Sequence, residues 1–133
     1  NADVVRSAAG PRLDRSAAER TTSALGIALS PDPMPEQGLF TRSDHYSFVR
    51  QGVPALYLVI GPGGPGAKEA EAFLASHYHK PSDEADLVMF DQLERFATVN
   101  AEIIKDVANM PAAPLWVAGD FFGTVFDGPM AVE

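Results

Sequence analysis

Apolar positions along the chain fall into three kinds of run, and each predicts a different element. Between Phe90 and Ala108, the residues Leu93, Phe96, Ala97, Asn100, Ile103, Ile104 and Val107 recur with a 3.6-residue period. That period predicts an amphipathic helix, which Pro111 and Pro114 stop. The run VPALYLVI, Val53 to Ile60, is continuously apolar between Gly52 and Gly61. It predicts a strand buried on both faces, as in a parallel sheet beneath helices. The third run, LWVAGDFFGTVF near the C-terminus, is aromatic and punctuated by glycine. A segment this apolar is expected to pack on the domain or on a partner.

The remaining pattern is weaker. Ser16 to Leu25 is Ala-rich and followed by Gly26, which predicts a helix with Gly26 just past its end. Ile27 to Ser30 predicts a short strand. Three prolines make Pro31 to Gly38 a loop, since proline removes a donor and fixes φ. Ser43 to Arg50 predicts a short helix, with Ser43 as N-cap, Asp44 in the first turn and Gly52 ending it. Ala67 to Ala75 predicts another helix, and the stretch that follows reads as irregular chain. The order is helix, strand, helix, long strand, helix, helix. It predicts an α/β fold with few parallel or mixed strands flanked by helices. So few strands make a poor sheet, so the chain is expected to be part of a larger domain or to gain strands from a partner.

Composition narrows the chemistry. A chain of 133 residues with 46% hydrophobic and 21% charged positions suits one globular domain. A net charge of −8 argues against nucleic acid or anionic membrane as the partner. The longest apolar run is too short for a membrane span. There is no cysteine, so any metal would need His, Asp and Glu ligands. No signal peptide is visible. Asn1-Ala2 reads as a cloning remnant, so the native start is expected upstream.

Four segments carry candidate chemistry. SHYHKPSDE, Ser76 to Glu84, holds two of the three histidines. Imidazole is the commonest metal ligand, and in extended chain His77 and His79 would point the same way. Tyr78 could donate to a developing oxyanion, and Asp83 is close enough in sequence to orient the His79 ring. A solvated polar loop fits the same spacing. In RSDHYSF, the adjacent Ser43, Asp44 and His45 cannot form a triad among themselves, and an N-capped helix explains Ser43 and Asp44 but not His45. Gly61, Gly63 and Gly66 satisfy a dinucleotide-type glycine pattern. Pro62 and Pro65, however, remove N–H groups that would face a pyrophosphate, so the segment reads as a flexible loop. Asp83, Glu84, Asp86 and Asp91 read as solvated acids before the last helix, where Asp91 suits the dipole.

Taken in order, RSDHYSFVRQGVPALYL (Arg42 to Leu58) and YHKPSDE (Tyr78 to Glu84) resemble the C-terminal half of the M28 zinc peptidases. In that family an S-D-H-x-x-F helix leads through G-[IV]-P-A into a buried strand, and a Y-H-T-P-x-D segment follows. The likeness runs from about Leu25 to Val107. It implies a three-layer zinc-exopeptidase fold, with helices on both faces of a mixed sheet, and hydrolysis of peptides by metal-activated water. Of the family's metal ligands for two zinc ions, His79 matches the final His. Tyr78 matches the residue that stabilises the tetrahedral intermediate. Asp44 and His45 match a segment on the substrate side or behind the ligands, and Asp83 matches a supporting acid. Lys80 replaces the usual Thr.

The family's first His, bridging Asp, Glu-Glu pair and second Asp precede the segment seen here. The resemblance therefore implies the C-terminal part of a zinc aminopeptidase. Residues 1–110 would belong to the peptidase domain and 111–133 would form the apolar tail. The chain alone is expected to be inactive and to bind zinc weakly. Two alternatives stay open: a glutaminyl cyclase, though those have Trp where this chain has Tyr78, and a metal-free interaction module. The resemblance also implies a periplasmic or secreted location. Self-association through a sheet edge or the tail is a further expectation.

Overall fold

The structure is a computed structural model that describes residues 4–6, 12–32, 35–60 and 66–132. Its longest helices form a pair. Helix α1 (Arg12–Ala24) packs against α4 (Phe90–Ala108). The contact face of α1 is small, with Ala17, Ala18, Thr21 and Thr22 all buried, so the helix axes can approach closely. Val99 and Ile103 of α4 meet it, together with Ile27 and Leu58, and Phe96 and Val107 lie partly buried at the edge. Thr21 Oγ1 donates to Asp106 Oδ2 at 3.1 Å, which ties the two helices together by a polar contact as well. The bounds of α4 are those the periodicity predicts. Its buried face is narrower than expected, because α1 covers only one side and leaves Leu93 and Ile104 exposed.

Two glycines end helices as the sequence predicts. After α1, the Ile27 amide donates to Thr22 O and the Gly26 amide to Ser23 O, with Gly26 at φ 65°. After α2 (Tyr46–Val49), Val53 donates to Phe48 O and Gly52 to Val49 O, with Gly52 at φ 78°. Both are Schellman closures, which need a left-handed residue at one position and so favour glycine. The start of α2 differs from expectation. His45, not Ser43, is its N-cap, and the Ser43 hydroxyl donates backwards to Leu39 O at 2.8 Å. A 3-10 turn at Leu39–Arg42 brings that carbonyl within reach and takes the hydroxyl away from capping.

Among the described residues the sheet has three strands in the order β2-β1-β3: β1 (Val4–Arg6), β2 (Leu29–Pro31) and β3 (Leu58–Ile60). β1 pairs parallel with β2 and antiparallel with β3. Helix α1 is the crossover between the parallel pair, which such a connection requires. Sequence pattern does not reveal β1, because three residues carry no measurable alternation. The described elements are thus mixed helix with a few strands.

The run Val53 to Ile60 is not the long parallel strand expected. Only Leu58–Ile60 joins the ladder, antiparallel and at a sheet edge, and Ile60 is exposed. Pro54 lacks a donor, and Gly52 is fixed elsewhere, so the first five residues run outside the ladder. The two-sided apolar character still has a cause. Leu56 and Leu58 face the α1–α4 cluster, while Ala55 and Tyr57 face a second cluster around Trp116. The segment is a partition between two cores. Helix α3 (Gly66–Ser76) follows, one residue longer at each end than expected. Residues 61–65, which carry most of the glycine pattern, lie outside the described residues.

The C-terminal segment builds the second core. Trp116 is fully buried with Phe40 and Val49, and Tyr46, Phe122, Phe126 and Met130 pack around it. Its indole Nε1 donates to Gly52 O at 2.8 Å. Backbone bonds between Trp116 and residues 129 and 131 close the segment on itself, around helix α5 (Phe121–Val125). A Cβ on Gly128 would lie 2.4 Å from Trp116 Nε1 and 2.6 Å from Gly52 O.

Two stability outcomes follow. Trp116→Phe strands the Gly52 carbonyl and is expected to cost about 1–3 kcal/mol in chemical denaturation. Gly128→Ala is expected to lose about as much or more, because the intruding carbon meets a fixed ring and backbone. Wild-type stability in both would show that the segment does not hold this contact in solution.

Candidate functional site

The candidate residues form two groups. The first is the loop after α3. The helix ends with the His77 and Tyr78 amides both donating to Phe73 O, at 2.8 and 3.0 Å. The chain then turns: the Lys80 amide donates to His77 O at 2.9 Å and the Asp83 amide to Lys80 O at 3.0 Å. The Lys80 ammonium donates to Ala75 O, near the negative end of the helix. His77 Nδ1 is 2.9 Å from Ser82 O; a carbonyl only accepts, so Nδ1 carries the proton.

The expected extended pairing of His77 and His79 is therefore absent. The loop is a compact turn closed by its own hydrogen bonds, and His77 serves that closure. His79 sits inside the turn with φ 57°. Left-handed backbone costs a non-glycine residue about 1–2 kcal/mol, so the surrounding bonds hold it there. Its ring stacks on Tyr78, with centroids 3.9 Å apart and planes 20° from parallel. Tyr78 also meets Phe73 edge-on. Both Tyr78 and His79 are exposed, as is Asp83. Among the described residues, no hydrogen bond links Asp83 to His79.

The second group surrounds His45. Its ring lies between Tyr57, stacked at 4.7 Å, and Phe40, edge-on at 4.5 Å. Burial pushes its pKa below the ordinary imidazole value; a backbone hydrogen bond to Phe40 and the charge of Asp44 pull the other way without reversing it. Nε2 is buried and has no hydrogen-bond partner, which leaves Nδ1 to meet Phe40. Asp44 is exposed, and its carbonyl accepts from the Ser47 amide at 3.1 Å. No ring contact or hydrogen bond joins this group to the Tyr78–His79 loop among the described residues.

Phe40 and Tyr57, which enclose His45, carry no motif. Only the alternation of the 53–58 run, with Tyr57 facing away from Leu56 and Leu58, could have signalled Tyr57. Phe40 has no comparable signal.

A zinc cage needs three or four protein donors converging on one point. Among the described residues, no three of His, Asp and Glu are grouped closely enough to hold a metal.

Lowered His45 affinity for protons has a pH consequence. The unfolded chain binds a proton there more readily, so this contribution is fully present above the ordinary imidazole pKa and is lost as pH falls through it toward the folded value. Denaturation midpoints measured between about pH 8 and pH 5 should fall with pH more steeply in wild type than in His45→Gln. Equal slopes would show that His45 is hydrated.

No curated protein and no solved structure matches the chain. The sequence profile of peptidase family M28 does, over residues 2–104. That span takes in both candidate groups and all of the sheet, and covers well over half of the chain, which therefore belongs to peptidase family M28.

Proposed function

We propose that the chain contributes the substrate-facing C-terminal part of a zinc exopeptidase, an aminopeptidase that removes N-terminal residues from peptides. Family membership supports peptide hydrolysis. The observation that carries the finer reading is the Tyr78–His79 turn. Its own hydrogen bonds hold both rings at the surface and keep His79 in a strained backbone. Strain maintained by surrounding bonds is common where a side chain must be aimed.

In this reading His79 is one zinc ligand, through its neutral imidazole. The Tyr78 O–H donates to the oxygen that gains charge as the scissile carbonyl is attacked. Asp44 and His45 stand on the substrate side. The other zinc ligands and the general base would come from sequence preceding this chain, which makes the chain the C-terminal portion of a larger enzyme.

The test is zinc content and hydrolysis of an aminoacyl anilide by that parent protein. His79→Ala should lose zinc and activity by more than the roughly 10–100-fold that loss of an outer-shell partner costs. Tyr78→Phe should keep zinc and lose roughly 10²–10³ in kcat. The 133-residue chain alone should show no turnover with added zinc. Turnover that tracks the short chain and disappears in its His79→Ala variant would overturn the division of ligands. A parent with neither zinc nor activity would point to an interaction module.

A further inference from the structure

The family match ends at residue 104, yet Phe40 and Tyr57, which enclose His45, share a cluster with Trp116, Phe122, Phe126 and Met130 beyond it. Asp120 accepts from the Phe122 and Gly123 amides at 2.8 and 3.0 Å, which fixes the start of α5. Phe122 then faces inward while its neighbour Phe121 is 69% exposed. The Phe122 ring lies 5.3 Å from Phe40 and 5.9 Å from Tyr46. Phe126, nearly parallel to Phe122, takes another edge of Tyr46 at 6.2 Å. Phe40 in turn holds one side of the His45 imidazole.

We infer that residues 114–131 are a brace that sets the imidazole of His45, with Phe122 as the positioning residue acting through Phe40. Phe40 is almost fully buried, and Phe122 is the ring outside it. Without Phe122, water reaches Phe40, its ring is free to turn, and the buried edge of His45 opens. Trp116 ties the same segment to the closure of α2 by donating to Gly52 O. Phe40 and Tyr57 hold the imidazole directly and Phe122 backs Phe40, whatever the chain's activity. Its effect on hydrolysis rests on the peptidase reading above.

The test uses histidine-ring nitrogen NMR on the full chain, comparing wild type with Phe122→Ala, Phe122→Leu and Phe121→Ala. In wild type His45 should titrate below the ordinary imidazole value with the proton on Nδ1. In Phe122→Ala its pKa should rise toward the ordinary value and the tautomer preference should weaken. Phe121→Ala, a change at an exposed ring on the same helix, should leave it unmoved.

If Phe122→Ala does not fold, Phe122→Leu decides, since it keeps apolar volume but not a flat ring. A folded Phe122 variant with lowered Tm and unchanged His45 titration would overturn the proposal, as would an equal shift in Phe121→Ala. In the zinc-loaded parent, Phe122→Ala should raise KM with zinc content kept. A His45 shift in a parent without peptidase activity would leave the brace standing and remove the peptidase reading.

Discussion

The hydrogen bond from the Trp116 indole to the Gly52 carbonyl joins residues 64 positions apart, and the aromatic cluster beside His45 packs around it. Gly52 is the left-handed closure of α2. Its carbonyl is therefore already aimed by backbone geometry, and the indole meets it where the ring is wholly buried. Gly123 and Gly128 let the chain pass against that ring at distances no side chain would permit. A buried donor and acceptor cost about 1–3 kcal/mol if either is left alone, so the pair specifies one packing rather than merely adding to it.

From that point the two cores follow. The chain leaves Gly52 in extended form. With period two it sends Leu56 and Leu58 toward the α1–α4 cluster and Ala55 and Tyr57 toward the Trp116 cluster. One strand-like segment thus couples the helix pair to the aromatic cluster that encloses His45. An apolar run can be two-sided without being a central strand, provided that something other than a sheet covers each face.

The helices were legible because their information is local. The 3.6-residue period gave α4, and Gly26 and Gly52 sit where a left-handed closure is needed. The order of the S-D-H and Y-H segments pointed to the family. What stayed hidden is long-range. Ser43 has the chemistry of an N-cap, but a preceding turn offers its hydroxyl a carbonyl first. His77 and His79 have ligand spacing only in extended chain, and the turn around Pro81 removes that premise. Nothing local in Phe40, Tyr57 or Phe122 says that they surround His45.

The two histidines of interest are set by opposite physics. His45 is held by rings and loses water, so its neutral form is favoured and one nitrogen is left buried without a partner. His79 is exposed and is held instead by the backbone, in a conformation that an exposed loop would abandon without the bonds donated by the Lys80 and Asp83 amides and by the His77 ring to Ser82 O. The His79 ring is exposed on a turn closed by its own hydrogen bonds. His45 packs between Phe40 and Tyr57, and burial there favours its neutral form. The two rings therefore sit in different surroundings because α2 packs on the C-terminal segment, whereas the loop after α3 closes on itself and on the end of that helix.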